Sequence, residues 1–310
     1  MSYESRVADF GELTSRFSCE MPGPLLCAHQ IEPRAWQRLR TATALYMSRC
    51  LPGNRILLDE DELLHAFETE RACIRNITPN GMIVPKREMI LEFNALARAL
   101  ADIFESLGIG NLIVSWHYPL NLRIKYGEAD DANLGRSYAT ESLHTDTWAG
   151  DPAHSILVHL PIFGDLERNH LIFYDAPPSL EESWLRPLPD YAHGEAYARQ
   201  CRPLDFFPRK GQLTLADIAL IHASNRLPGA GIRVSIDTRF NPKRSGDVIG
   251  CDSASAQEIG EYIPHSVLTG LGATHLYFFP DSVEDGVPAP HGLNRHVSNV
   301  RVLALGEEQS

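Results

Sequence analysis

After Gly108 the apolar residues of this chain stop recurring at the helical period and begin to alternate. In PLNLRIKYG, Leu120, Leu122, Ile124 and Tyr126 alternate with Asn121, Arg123 and Lys125, which reads as a β-strand. Before Gly108 the pattern is helical. In PKREMILEFNALARALADIFESLG, Ile90, Phe93, Leu96, Leu100 and Phe104 share one face, with Pro in the first turn and Gly at the stop. IEPRAWQRLRTATALYMSRC and LDEDELLHAFETERACIRN read as two more helices, the second opening with acids that suit a helix N-terminus. Further strands are expected at HSILVHLPIF, NHLIFYD, GQLTLADIALIH and GIRVSIDTRF, separated by the turn-rich APPSLEES and ASNRLPGAG. Helices first and short strands after predict an α+β fold: a β-sandwich or barrel buttressed by N-terminal helices. Towards the C-terminus EYIPHSVLTGL reads as a helix, ATHLYFF as a strand and GEEQS as a frayed end.

The chain has 310 residues, room for one large domain or two small ones. Its 44% hydrophobic and 22% charged content fits a globular core and excludes disorder as the main state. A net charge of −12 argues against nucleic acid and anionic membranes as partners, and is compatible with a cationic small-molecule substrate. No uncharged apolar stretch approaches the length of a membrane span. The start, MSYESRVADFGELTSRF, lacks the basic and apolar regions of a secretory signal. The six cysteines form no CxxC and read as reduced thiols. A soluble, cytoplasmic protein is expected.

The chemistry concentrates at His144-Thr145-Asp146. Residues two apart on an extended segment project to the same face, so one imidazole and one carboxylate can reach a single metal ion. A third ligand would complete a 2-His-1-carboxylate facial triad with open positions on Fe(II). A rival, His193-Gly194-Glu195, lies in a turn-rich stretch too close to His222 for intervening strands. His222 itself ends the apolar run IALI, and Arg233 opens Arg233-Val234-Ser235 shortly after. In GIRVSIDTRF, Arg233, Ser235, Asp237 and Arg239 share one strand face; Ile232, Val234, Ile236, Thr238 and Phe240 share the other. A polar face turned inward suits a ligand, and the planar fork of an arginine suits a carboxylate.

The order His144-Thr145-Asp146, His222, Arg233-Val234-Ser235 resembles the Fe(II)/2-oxoglutarate-dependent oxygenases. The gap from His222 to Arg233 and the ending RVSIDTRF are similar to the phytanoyl-CoA dioxygenase-like branch. HTDTWAGDP and RVSIDTRFNP resemble bacterial secondary-metabolite oxygenases, including those of aminoglycoside pathways. The resemblance covers roughly residues 115–242. It implies a cupin-like double-stranded β-helix, or jelly roll, in a single domain 1–310. The helical N-terminal part would span about 31–107, the barrel core about 115–242 and a C-terminal extension 243–310.

It further implies that His144, Asp146 and His222 bind Fe(II). Arg233 and Ser235 would grip 2-oxoglutarate, with Arg123 and Lys125 lining the same pocket. With O₂ the co-substrate would be decarboxylated to succinate and a substrate C–H bond oxidised. The outcome would be hydroxylation, desaturation or ring closure of a small molecule, with an aminosugar or aminoglycoside-type intermediate as a candidate. Asp146 stands where related halogenases carry a small residue, so no halogenation is expected. Trp148, Arg239 and Asn225 are candidate substrate contacts. One departure concerns the Gly-Asp the family often shows before the distal histidine: here Asp217 is displaced from Gly211, which leaves the strand register open. Two other readings stand beside this one. The first is a cupin-type metal-dependent isomerase or hydrolase that does not use 2-oxoglutarate. The second is a non-catalytic jelly-roll binding module with structural histidines. HExxH, P-loop, dinucleotide and GxSxG motifs are absent.

Overall fold

Ser2 begins the first helix by accepting a hydrogen bond from the Ser5 amide, with Glu4 in the first turn favoured by the helix dipole. The structure, a computed structural model, describes residues 2–78, 80–127, 137–243, 262–271, 275–278 and 301–304. In chain order the elements begin with α1 (Tyr3–Thr14), β1 (Glu20–Gly23), β2 (Leu26–Gln30), α2 (Pro33–Ser48), α3 (Glu60–Thr69) and α4 (Ile90–Ser106). Then come β3 (Ile113–His117), β4 (Leu122–Lys125), β5 (Ile156–Gly164), β6 (Asn169–Asp175), the short α5 (Glu195–Ala198) and β7 (Arg202–Pro203). The rest are β8 (Gln212–Asp217), β9 (Ile221–Arg226), β10 (Arg233–Pro242), β11 (Tyr262–Pro264), α6 (His265–Gly270), β12 (His275–Phe278) and β13 (Arg301–Ala304). Helix and antiparallel sheet are mixed, as the sequence predicts. No helix among the described residues is long and apolar enough to cross a membrane.

The contacts divide the chain into two compact units. The first comprises Met1–Ile31, Thr78–Met82 and Leu122–Arg244. Its larger sheet runs β1-β2-β8-β5-β10, with β4 also paired to β10, and all pairings are antiparallel. Its smaller sheet runs β7-β6-β9, again antiparallel. Residues Ile156–Phe163 of β5 are buried without alternation, so both faces of the larger sheet are covered there. β5 ends on Gly164 at φ +92°, where a Cβ would lie 1.9 Å from the Ile232 carbonyl oxygen, so only glycine lets it approach β10.

Three features of this unit depart from the sequence-based expectation. The hairpin β1–β2, which adds two strands to the larger sheet, is not expected at all. Leu26, Cys27 and Ala28 are all buried, so β2 carries no alternation to read. GQLTLADIALIH is not one strand but two. Asp217 ends β8, its carboxylate accepts a hydrogen bond from the Ala219 amide (2.8 Å), and the Leu220 amide donates to its carbonyl (3.0 Å). The turn carries the chain from the larger sheet into the smaller one and places His222 as the second residue of β9. Finally, Asp217 is buried and held by Arg6 of α1, Nη1 to Oδ1 at 3.0 Å, while Arg6 Nη2 donates to the Ala153 carbonyl (2.8 Å). Burial pushes the Asp217 carboxyl upward against the pull of Arg6. Arg6→Ala would leave that carboxylate buried and unpaired. It is expected to lower stability by about 3–5 kcal/mol. The readout is the urea midpoint at unchanged slope, and an unmoved midpoint would remove the strut role of α1.

The second unit comprises Glu32–Ile77, Ile83–Asn121 and Ser245–Ser310. The three expected helices are present. Glu32 caps α2 by accepting from the Arg34 and Ala35 amides, and Asp59 caps α3 by accepting from Glu62 (3.1 Å). α4 starts later than the proline suggests, after a 3-10 turn over Arg87–Met89. Phe93, Leu96, Leu100 and Phe104 form its buried stripe, and Phe93 meets Tyr46 of α2 with ring centroids 5.2 Å apart. β3 pairs with β11, and β12 with β13. EYIPHSVLTGL is a strand followed by a helix: Tyr262–Pro264 pairs with β3, and His265–Gly270 forms α6. His265 accepts from Trp116 Nε1 (2.8 Å) and reaches Glu105 (2.6 Å), which docks α6 on α4 and β3. The ATHLYFF strand reading matches β12 in backbone, and GEEQS lies outside the described residues.

Candidate metal centre

His144 and His222 face each other across an antiparallel bridge. The His144 amide donates to the His222 carbonyl (3.1 Å) and the His222 amide to the His144 carbonyl (2.8 Å). Residues that exchange both hydrogen bonds lie directly opposite, so their side chains leave the same face. The rings are 4.4 Å apart, centroid to centroid. Thr145, the residue after His144, is extended at φ −111°, and Asp146 opens a 3-10 turn that ends on the left-handed Gly150. Thr145 stabilises this turn by accepting from the Thr147 amide (3.3 Å) and donating to the Ile218 carbonyl. Asp146 Oδ1 then lies 3.8 Å from His144 Nε2 and 3.7 Å from His222 Nε2. Among the described residues this is the group of three whose donor atoms converge, all within 4.8 Å of one another.

The ring environments select the donor atoms. His144 Nδ1 is 2.7 Å from the Ser142 carbonyl and His222 Nδ1 is 3.4 Å from the Leu220 carbonyl. A carbonyl can only accept, so each Nδ1 carries the proton and each Nε2 keeps its lone pair for a metal. Burial, reinforced by the neighbouring His222, pushes the His144 ring down to about 3. Burial alone would raise Asp146, but Arg239 and the two imidazoles outweigh it and hold the carboxyl at about 2. The group therefore offers two imidazole Nε2 atoms and a carboxylate oxygen, the donor set of a facial triad, with His144 neutral and Asp146 ionised at neutral pH. Tyr191 packs flat on the His144 ring, centroids 4.2 Å apart at 17°, and fixes its plane.

β10 extends the site along its inward face. Arg239 donates through Nη1 to Asp146 Oδ2 (2.8 Å), and its Nε lies 2.7 Å from Asp151 Oδ1. Asp237 is held by His159 Nδ1 and by Arg123 Nε (3.2 Å), with Ser235 Oγ 3.5 Å away. Burial would raise Asp237; His159, Arg123 and Arg233 together drive it well below the usual carboxylate range. Arg233 is 1% exposed and donates through Nη2 to Ser224 (3.3 Å). Among the described residues its Nε and Nη1 meet no acceptor. Burial lowers this guanidinium to about 10, which leaves it charged at neutral pH. Register places Lys125 opposite Arg233 and Arg123 opposite Ser235. Lys125 is buried against Thr140 and Glu141, and burial brings its ammonium down to about 7.

The structure thus brings His144, Asp146, His222, Arg123, Lys125, Arg233, Ser235 and Arg239 onto one inward surface. It places the remaining candidates elsewhere. Trp148 is fully buried, donates to the Trp184 carbonyl (2.9 Å) and packs over Gly194, whose Cβ would lie 2.2 Å from the indole. That is a packing position. Asn225 lies on the face of β9 opposite His222 and Ser224, with its amide beside His170 (3.4 Å). Strand parity sends Arg226 inward instead, where it pairs with Glu141. His193 of the rival HGE pairs with Asp190 on the exposed surface. Tyr191, Asp151, His159 and Glu141 join the site without having been expected there. Only His159, a histidine inside an apolar strand, carried a visible signal.

No protein-family model and no curated protein matches the sequence. Among solved structures the chain is similar to the non-heme alpha-ketoglutarate-dependent epimerase SnoN from nogalamycin biosynthesis, at 14% identity and TM-score 0.37, over 72% of this chain and 92% of that one. It is similar to AviO1 from Streptomyces viridochromogenes Tue57, at 14% identity and TM-score 0.40, over 75% and 95%. It is also similar to an N-substituted L-amino acid dioxygenase from Burkholderia ambifaria AMMD, at 12% identity and TM-score 0.37, over 77% and 91%. Likeness this distant transfers no residue roles, which rest here on the chain's own geometry.

Proposed function

We propose that this protein is a non-haem Fe(II)- and 2-oxoglutarate-dependent oxygenase built on a jelly-roll core, acting on a C–H bond of a small molecule. The observation that carries the reading is the pairing of two features on one surface. Two imidazoles and a carboxylate converge from distant segments, and Arg233 lies buried nearby with two guanidinium nitrogens that meet no acceptor among the described residues. A buried cation with free donors costs several kcal/mol unless an anion meets it. The local charge favours a dianion. Arg123, Lys125, Arg226 and Arg233 outnumber Glu141 and Asp237 by two when Lys125 is protonated.

His144, His222 and Asp146 would hold the metal through Nε2, Nε2 and Oδ1. Arg233 would take the distal carboxylate of 2-oxoglutarate, with Ser235 and Lys125 beside it. When bound, Fe(II) and 2-oxoglutarate supply with O₂ the oxidant for the C–H bond, and succinate and CO₂ are released. With a metal bound, Asp146 would supply a carboxylate where a halogen-transferring site needs room for halide, which favours oxygen over halogen transfer. A hydroxylation or oxidative ring closure of an aminosugar-type intermediate fits the acidic chain. The test is succinate release by purified protein. It should require Fe(II), 2-oxoglutarate and O₂ together. A metal-loaded protein that turns over no 2-oxoglutarate with any of a panel of substrates would favour a cupin-type isomerase or hydrolase instead.

Lys125 makes co-substrate binding depend on pH. Burial leaves its ammonium half-deprotonated near pH 7 in the free protein, whereas a bound dianion favours the charged form. The pocket is therefore fully cationic below about pH 7, and above it binding must be accompanied by proton uptake. The Kd for 2-oxoglutarate, titrated calorimetrically on Mn(II)-loaded protein, is expected to rise above pH 7 by up to ~10-fold per unit. Lys125→Met should weaken binding and flatten the slope; an unchanged slope would assign the proton elsewhere.

A further inference from the structure

Asp146 uses only one of its oxygens toward the two histidines. Oδ1 lies 3.8 and 3.7 Å from their Nε2 atoms, while Oδ2 accepts from Arg239 Nη1 at 2.8 Å. The same guanidinium presents Nε to Asp151 Oδ1 at 2.7 Å, and both Arg239 and Asp151 are buried. Asp151 belongs to the loop that carries the ligand. Its amide donates to the Asp146 carbonyl (3.3 Å), and Gly150 turns between them at φ 110°. Arg239 comes from the far end of β10, on the face that also carries Arg233. One guanidinium therefore ties the ligand loop to the strand that bears the anchor.

We propose that Arg239 and Asp151 form a positioning pair that holds Asp146 as a one-oxygen metal ligand. This assignment rests on the metal site proposed above and replaces the expectation that Arg239 contacts substrate. Three consequences of the geometry support it. First, a carboxylate with both oxygens free can rotate onto a metal and fill two positions; with Oδ2 engaged, it can fill one. The second position then stays open for co-substrate or O₂. Second, a lone arginine beside a metal site would repel the cation, but Asp151 offsets that charge, so Arg239 can orient Asp146 at small electrostatic cost. Third, the planar fork reaches two carboxylates at once, which a lysine ammonium on the same strand cannot reproduce with the same geometry. Partners of metal ligands typically contribute 10–100-fold to metal affinity.

The test is Mn(II) binding without co-substrate, followed by paramagnetic resonance and calorimetry, with the carboxylate stretch read by difference infrared spectroscopy. Wild-type protein should bind one Mn(II), lose it in His144→Ala, and show the wide carboxylate splitting of single-oxygen ligation. Arg239→Gln should weaken Mn(II) about 10–100-fold and narrow the splitting towards two-oxygen ligation. Asp151→Asn, which changes no ligand and keeps the backbone contact to Asp146, should move both readouts in the same direction by less. Should Arg239→Gln not fold, Arg239→Lys carries the test, since it keeps the charge but loses the fork, and it should show the same narrowing. Folded variants with wild-type Kd and splitting would overturn the positioning role while leaving the metal site standing. A wild-type protein that binds no Mn(II) would overturn both.

Discussion

Arg233→Ala is expected to raise the KM for 2-oxoglutarate by about 10²–10⁴-fold, with a smaller change in the maximal rate at saturating co-substrate. The side chain is buried, and its Nε and Nη1 have no acceptor among the described residues. A carboxylate that met both would make two parallel charge-assisted hydrogen bonds. Removing one partner of such a buried pair costs about 3–5 kcal/mol, which corresponds to the stated range. Arg233→Lys restores charge without the fork and should recover only part of the loss. Initial rates against 2-oxoglutarate concentration separate the cases. A fall in maximal rate with unchanged KM would mean that Arg233 supports the fold of β10 and that the dicarboxylate is anchored elsewhere. The same loss should appear in calorimetric binding to Mn(II)-loaded protein, which does not depend on turnover.

Much of this site is legible in the chain because strand parity is a strong rule. The alternation through RVSIDTRF puts Arg233, Ser235, Asp237 and Arg239 on one face, and the structure turns that face inward. Parity also explains where Asn225 falls. His222 is in β9, so residues 224 and 226 share its face and residue 225 cannot. The break at Asp217 is hidden because the IALI that follows it is apolar throughout, so the run carries no alternation that would mark a change of sheet. Nothing in composition distinguishes a strand that continues from one that turns on an aspartate cap and changes sheets. Tyr191 and Asp151 were missed for another reason. Their roles depend on loops, and no short-range pattern says which loop residue will stack on a histidine or meet an arginine from a distant strand. Trp148 was open to two readings because an aromatic beside a ligand motif suits packing and stacking alike. Its contact with Gly194 decides for packing.

The larger sheet also shows why the site needs both ends of the unit's sequence. β2, from the first thirty residues, covers the edge of β8, and α1 sends Arg6 to the aspartate that ends it. That aspartate sets the turn into β9 and therefore where His222 falls. The N-terminal segment thus acts on the candidate metal centre at one remove, through Asp217, without contributing to the converging group. A unit lacking it would keep the motif residues but leave the turn that aligns them without its counter-charge.

Asp146→Ala is the second large effect, and it separates metal binding from every later step. Asp146 is the sole anionic member of the converging group. Four-ligand structural zinc sites bind with about 10–16 kcal/mol, so one ligand contributes about 2.5–4 kcal/mol. Its loss should weaken Mn(II) by about 10²–10³-fold and abolish 2-oxoglutarate turnover at ordinary iron concentrations. The variant also removes one of the two carboxylates that Arg239 meets, which adds a repulsive contribution for a cation. Asp146→Glu keeps the charge, but its longer stem moves the oxygen relative to two fixed imidazoles, so it should bind metal more tightly than the alanine variant and still turn over poorly. His144→Ala and His222→Ala should match the loss within an order of magnitude, because the three donors act as one chelate. Full iron-dependent turnover by Asp146→Ala would remove the triad, since Asp146 supplies the only carboxylate of the converging group among the described residues.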